Sequence, residues 1–278
     1  MSYINDLIDI AIKEDIGDGD HTSLSCIPSE AKGKAHLLVK EDGILAGVDL
    51  AKTIFHKIDN TIVFEQFLND GDKVKVGDIA FAVEGKSQSI LQAERLALNF
   101  MQRMSGIATN TNYYVQLLEG TNTKVLDTRK TTPGLREIEK LAVKIGGGHN
   151  HRMGLYDMVM IKDNHIDYAG GIEAAINSTN RYLKANNKDL KIEIEARNLS
   201  ELDEILTVGN VHRIMLDNFS YADLRTAVRL IAGKYETEAS GGITDKTIRN
   251  YAECGVDFIS VGALTHQIKS LDLSLKAI

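Results

Sequence analysis

Residues 192–240 read IEIEARNLSELDEILTVGNVHRIMLDNFSYADLRTAVRLIAGKYETEAS, and this stretch decides the fold. Apolar runs of strand length, Ile192–Ile194, Ile214–Leu216 and Tyr235–Ala239, alternate with amphipathic helical stretches at 199–208 and 220–232. Gly, Ser or Thr leads each helical stretch, and Gly or Asn closes it. The pattern continues in both directions. Val125–Leu126, Ala142–Ile145 and Met158–Ile161 precede it, Phe258–Val261 comes after it, and further helices are predicted at 171–185 and 244–253. Strand–helix alternation implies a parallel sheet, and six or seven units over about 150 residues favour a barrel. The first three runs are joined by short or irregular connections, so the count fits an incomplete seven-stranded (β/α) barrel.

Upstream the pattern differs. Ile4, Leu7, Ile8, Ala11 and Ile12 share one face of a helix that starts near Ser2 and ends at Gly17. The adjoining Glu14–Ser23 reads as a turn-rich loop. Its aspartates at 15, 18 and 20 do not make a calcium loop, because the twelfth positions are Cys26 and Ser29 instead of a glutamate. Residues 34–84 look β-rich, with strands at Ala35–Val39, Thr61–Phe67 and Ile79–Val83 between turn signals. A long helix is predicted from Ser89 to Met104, with Ser89 and Gln92 spaced as a capping box. Its polar stripe of Gln92, Arg95, Asn99 and Arg103 reads as a solvated face.

The chain has 278 residues and a net charge of −7, which argues against nucleic acid as the default partner. The charge is unevenly placed. Residues 124–165 hold eight Lys/Arg against five acids, a +3 island in a remainder of −10. Two cysteines, Cys26 and Cys254, have no metal or redox spacing and fit a reducing cytoplasm. The N-terminus does not resemble a signal peptide, and no apolar run is long enough to span a bilayer.

Chemistry in parallel barrels gathers at the carboxyl ends of strands. After the successive runs come Asp127-Thr-Arg129-Lys130, Gly146-Gly-Gly-His-Asn-His151-Arg152, Lys162-Asp-Asn-His165, Glu195-Ala, Asp217-Asn, Ser240-Gly-Gly242 and Gly262-Ala. Arg129, Lys130, Arg152 and Lys162 would repel one another unless anions are bound. A like pair at about 4 Å costs about 4 kcal/mol at an effective dielectric of about 20. Two arginines suit planar carboxylate recognition. Ser240-Gly241-Gly242, followed by Ile243-Thr244 opening a helix, suits a phosphate, with Gly262 as a second wall. Taken alone, that turn has equal weight as a plain tight turn. Glu195 and Asp217 could hold ribose hydroxyls, a magnesium ion or developing positive charge, or pair with the neighbouring cations.

Several motifs resemble one family, the carboxylating nicotinate-nucleotide pyrophosphorylases, or quinolinate phosphoribosyltransferases. They are Glu14–Ser23, Glu94–Thr109, Asp127-Thr-Arg-Lys-Thr-Thr-Pro-Gly-Leu-Arg136, Gly146–Arg152, Val159-Met-Ile-Lys-Asp-Asn-His165 and Glu238-Ala-Ser-Gly-Gly-Ile243. The resemblance runs nearly end to end. It implies transfer of a phosphoribosyl group to quinolinate with decarboxylation, giving nicotinate mononucleotide, pyrophosphate and CO2 for NAD synthesis. It also implies an α/β-sandwich N-terminal domain at 1–108, with 269–278 packed on it, and a barrel domain at 109–268.

By the same resemblance, Arg129 and Arg152 hold the substrate carboxylates, with His151, Lys162 and Arg103 nearby. Lys130, Glu195 and Asp217 are catalytic, and Glu195 and Asp217 hold Mg2+ directly or through the phosphoribosyl substrate. Ser240, Gly242, Gly262 and His266 surround the 5-phosphate. The family forms homodimers with shared sites, which takes Arg103 off the solvated face and into a partner's site. His149 is assigned no role, and Lys124, Lys140 and Lys144 are ascribed to scaffold or surface. Three alternatives stay open: Lys162 as a Schiff-base lysine in an aldolase, His149 and His151 in a metal hydrolase, and a related family associated with molybdenum transport.

Overall fold

The computed structural model describes residues 3–278, which fall into two compact units. One comprises the chain to Asn112 together with Thr131–Gly147 and Leu264–Ile278; the other comprises Tyr113–Lys130 and Gly148–Ala263.

In the first unit, α1 (Tyr3–Ile16) stops at Gly17, whose φ of +56° is a left-handed conformation open to glycine. The expected start at Ser2 lies outside the described residues. The loop expected at Glu14–Ser23 gives way to a short helix, α2 (His21–Cys26), because Asp20 caps it by accepting the Ser23 N–H at 3.1 Å. Next in the chain are β1 (Lys32–Val39), β2 (Gly43–Ile44), α3 (Val48–Ile58), β3 (Val63–Gln66), β4 (Lys73–Val74) and β5 (Ile79–Lys86).

The β-rich reading thus holds for β1, β3 and β5 but misses α3, where Leu50, Ala51, Ile54 and Phe55 are buried at helical spacing. Phe55 meets the Phe81 ring edge-on at 6.0 Å between centroids, and Phe64 lies 4.4 Å from Phe81, so α3, β3 and β5 share one aromatic core.

Beyond β5 comes α4 (Ser87–Leu117), a helix of 31 residues, far longer than the Ser89–Met104 expected. Ser89 lies inside it and donates to Asp59 at 2.9 Å, so the predicted capping box does not form. The apolar run Ala142–Ile145 is a helix too, the end of α5 (Arg136–Ile145). Ile138, Ala142 and Val143 lie on its buried face, at a spacing that only a helix brings together. The C-terminal strand Leu273–Ala277 pairs antiparallel with β1, and the sheet runs from that strand through β1 and β5 to β3.

The second unit contains β6 (Lys124–Leu126), β7 (Val159–Ile161), α6 (Asp163–Ala169), α7 (Ile172–Ala185), β8 (Ile192–Ala196), α8 (Leu199–Val208), β9 (Arg213–Asp217), α9 (Tyr221–Ile231), β10 (Glu236–Ser240), α10 (Ile248–Ala252) and β11 (Phe258–Ser260). Local signals start the helices: Asn198 accepts the Glu201 N–H, and Ser220 accepts the Asp223 N–H. The strands form one parallel sheet in the order β6–β11–β10–β9–β8–β7. Six of the seven predicted runs are strands. Beside β6 a single parallel bridge, Leu126 to His149, stands where a seventh strand would lie. This is where the barrel is incomplete. The short helix α11 (Ala263–His266) carries the chain back to the first unit.

Within the first unit the C-terminal segment runs along α4. Leu271 donates its N–H to the Gln102 carbonyl at 3.0 Å, and the Gln102 amide donates to the Leu273 carbonyl at 2.9 Å. A methyl group at Gly106 would overlap the Lys269 carbonyl oxygen. Gly106→Ala should therefore destabilise the protein by about 1–3 kcal/mol, although alanine favours a helix by up to about 1 kcal/mol. A urea midpoint that rises in this variant would refute the close approach.

Candidate active site

Alternation along a strand sends every second side chain to the same face. On β8 these are Glu193 and Glu195; on β9, Arg213, Met215 and Asp217; on β10, Glu236, Glu238 and Ser240. Parallel pairing sets Glu193 beside Arg213 and Glu195 beside Met215. It likewise sets Glu236 beside Arg213 and Ser240 beside Asp217. One face of three adjacent strands is therefore strongly charged, and its C-terminal end carries Glu195, Asp217 and Ser240.

The deeper charges neutralise one another. His151 Nε2 lies 2.9 Å from Glu193 and 3.4 Å from Glu238, and both glutamate side chains are fully buried. Arg213 reaches Glu238 at 3.2 Å and Glu236 at 2.9 Å, and stacks 4.2 Å over the Phe258 ring. His151 is anchored on its other side as well. Its backbone N–H donates to the buried Asp127 at 2.8 Å, and its Nδ1 accepts the Arg152 backbone N–H at 2.7 Å.

Burial opposes charge on His151, and the facing carboxylates of Glu193 and Glu238 draw a proton onto its Nε2. A ring that accepts a hydrogen bond at Nδ1 carries its proton on Nε2. The next proton therefore falls to the carboxylate pair. Burial, then the Glu238 charge, pushes Glu193 up to about 7. Burial works against an ionised Glu238 too, but His151, Arg213 and Ser260 hold it below the ordinary carboxylate value.

His151, Glu193 and Glu238 also have the spacing of metal ligands. Arg213 supplies positive charge on Glu238, and an Nε2 that carries its proton toward Glu193 has no lone pair for a metal ion. The predicted magnesium pair is a different one. Glu195 and Asp217 offer hard oxygens, and burial followed by the Asp217 charge brings Glu195 up to about 7. Such a pair favours a cation, and Lys162 approaches only to 4.0 Å. The donor set fits magnesium.

The basic residues gather at the strand ends of this unit. Arg129, Lys130 and Lys162 are exposed and Arg152 half-buried. Burial, then the neighbouring Arg129 charge, holds Arg152 below the usual guanidinium value, so these two arginines lie close together. Arg152 Nη1 also donates to the Met158 carbonyl at 3.3 Å.

The glycine turn differs from expectation. The helix after it opens at Ile248, six residues beyond Gly242, because Thr244 and Thr247 close a turn of their own. What remains for a phosphate is the turn itself, with φ of +103° at Gly241 and +60° at Gly242. A side chain at Gly241 would strike the Asn218 amide. Gly262 is half-buried after β11, in the same unit.

Arg103 and His266 belong to the first unit. His266 is exposed. Arg103 binds the fully buried Glu139 through Nε at 2.8 Å and through Nη2, which also donates to Thr132 at 2.7 Å. Glu139 in turn accepts the Thr132 N–H at 3.1 Å. Sequence reasoning missed Glu139, Glu193, Glu238 and Arg213; Lys140, ascribed to scaffold or surface, is fully buried and so belongs to the scaffold. The period-two spacing of Glu193 with Glu195, and of Glu236 with Glu238, was the available signal.

Residues 20–105 match the model of the quinolinate phosphoribosyl transferase N-terminal domain, and residues 107–276 that of its C-terminal domain. A quinolinate phosphoribosyltransferase [decarboxylating] of Nicotiana tabacum is 49% identical over 97% of this chain and 81% of its own. A probable nicotinate-nucleotide pyrophosphorylase [carboxylating] of Bacillus subtilis is 41% identical over 94% of this chain and 89% of its own. Among solved structures, NadC from Streptococcus pyogenes superposes with a TM-score of 0.93 at 38% identity, covering 99% of this chain and 97% of that one.

If Asp217 and Lys162 set the charge on Glu195, Asp217→Asn should move its pKa below the present value of about 7, and Lys162→Met should move it up. Carbon-13 titration of the Glu195 carboxyl reads both shifts. An unmoved value in Asp217→Asn would show that burial alone sets it.

Proposed function

The chain belongs to the quinolinate phosphoribosyltransferase family, and from that premise we propose that it joins quinolinate to phosphoribosyl pyrophosphate with loss of CO2. The products are nicotinate mononucleotide and pyrophosphate, a step of NAD synthesis, and the enzyme is a pentosyltransferase. The observation that carries the reading is the site's two-sided charge. Arg129 and Arg152 lie close together, and Glu195 and Asp217 lie together at the neighbouring strand ends.

Arg129 and Arg152 take the substrate carboxylates, with His151 and Lys162 nearby. Positioning is most of the work, because the two anionic substrates repel each other in water. The pyridine nitrogen attacks the anomeric carbon as its bond to pyrophosphate breaks, and the ring passes through an oxocarbenium-like state. Glu195 and Asp217 stabilise that positive charge. Loss of CO2 then leaves an electron pair on the ring carbon beside the cationic nitrogen, and a proton from Lys130 fills it. Ser240, Gly242 and Gly262, all from the barrel unit, take the 5-phosphate.

Magnesium, held by Glu195 and Asp217 directly or through the phosphoribosyl substrate, supplies charge neutralisation for the pyrophosphate. The working form is a homodimer in which Arg103 of one subunit enters the other's site. Glu139 and Thr132 support this role by fixing the guanidinium. No helix among the described residues is long and apolar enough to cross a membrane. A cytoplasmic setting agrees with the two free cysteines, Cys26 and Cys254.

Incubation with quinolinate, phosphoribosyl pyrophosphate and magnesium should yield nicotinate mononucleotide; no product across pH and magnesium concentrations would sink the reading. Arg129→Ala should weaken quinolinate binding by about tenfold or more while phosphoribosyl pyrophosphate binding changes far less. Equal loss of both would place the carboxylates elsewhere. Mixing Arg103→Ala with Lys130→Ala subunits should restore part of the activity. Verified mixed dimers that stay inactive would rule out shared sites.

A further inference from the structure

Two buried glutamates have no part in the reaction described above, yet they face a residue that does. Glu193 comes from β8 and Glu238 from β10, strands separated by β9, and both meet His151 Nε2. Alternate strands contributing to one interior layer is the packing rule of parallel barrels. Here the layer is filled with charge, although apolar side chains would serve stability as well or better.

The His151 ring is held on both edges. Nε2 lies against Glu193 at 2.9 Å, and Nδ1 accepts the backbone N–H of Arg152 at 2.7 Å. The ring therefore ties the strand interior to the peptide that carries Arg152. Arg152 receives its remaining anchor from the Met158 carbonyl at 3.3 Å.

We propose that Glu193 and Glu238 are positioning residues. They fix the His151 ring with its proton on Nε2, and the ring, through Nδ1, holds the backbone that aims the Arg152 guanidinium at a substrate carboxylate. Arg213 completes the device by holding Glu238, at 3.2 Å, in the orientation that meets the ring. His151 thus acts first on its own neighbour. Without the carboxylates the ring can turn, Nδ1 leaves the Arg152 N–H, and the guanidinium loses its direction while the phosphate end of the site is untouched.

The proposal rests on Arg152 being an anchor for quinolinate, and the experiment separates the two ideas. In ligand-free protein labelled with nitrogen-15 at histidine, His151 should show the Nε2–H tautomer, with its signal identified by its loss in His151→Asn. A proton on Nδ1 would overturn the positioning role whatever the protein binds. Calorimetry then compares quinolinate with phosphoribosyl pyrophosphate. Glu193→Gln and Glu238→Gln should each weaken quinolinate by about tenfold and leave phosphoribosyl pyrophosphate within about twofold. Neither change should weaken quinolinate further when added to Arg152→Ala.

Equal weakening of both ligands, or full additivity with Arg152→Ala, would overturn the proposal. If the glutamine variants fail to fold, His151→Phe keeps a ring and removes both nitrogen contacts. The same selective loss is expected from it, and retained phosphoribosyl pyrophosphate binding reports an intact fold. Unmodified protein that bound no quinolinate would overturn the function, and with it the aim assigned to Arg152, while leaving the tautomer result to stand.

Discussion

Charge buried inside the parallel sheet is the constraint on which the rest of the second unit depends. Glu193, Glu238, Arg213 and His151 are all removed from water. An unpaired charge there would destabilise the unit by several kcal/mol. Each instead faces a polar or oppositely charged group from a neighbouring strand or from the Gly148–Arg152 segment. The segment is pinned from two directions: its backbone by Asp127, its imidazole by the glutamates. A barrel lacking a full seventh strand keeps a defined edge in this way. The cations at the strand ends follow directly on that pinned layer, so their positions inherit its rigidity.

Much of this was legible in the sequence because the signals are local. Asn198 and Ser220 start α8 and α9 with their own side chains, and each strand from β8 to β11 overlaps a short run rich in apolar residues. The polar strand ends could be read off in order for the same reason. Where the reading failed, tertiary context decided. Ala142–Ile145 is too short for periodicity to separate strand from buried helix. The Glu139 and Lys140 that precede it are themselves buried, which conceals the helical pattern of α5. The helix α4 runs on past Met104 through Gly106, a residue that disfavours helix and sits where only a hydrogen atom fits beside Lys269, so local propensity does not reveal its 31-residue length.

The buried glutamates were missed for a different reason. Glu193 is hidden in the sequence between Ile192 and Ile194, so the segment looks apolar and only Glu195 stands out, as the strand end. Read with a period of two, β8, β9 and β10 each place charge on the same face at two depths. Near the strand ends, the upper depth, stand Glu195 and Asp217, and further back along their own strands, the lower depth, stand Glu193, Arg213 and Glu238. Attention to the residues just past each strand reaches only the upper depth. The residues that orient a site lie at the lower one.

The division of the chain bears on how the protein comes into being. It passes between the two units four times, and the strand beside β1 is made of residues 273–277, synthesised after every strand of the barrel unit. On the ribosome the first unit therefore waits, its β1 edge unpaired, until that segment has emerged. The barrel unit, whose residues end at Ala263, has its full set of strands earlier. Order of birth and order of completion are thus reversed, and a nascent chain stalled before Leu273 would expose the N-terminal edge.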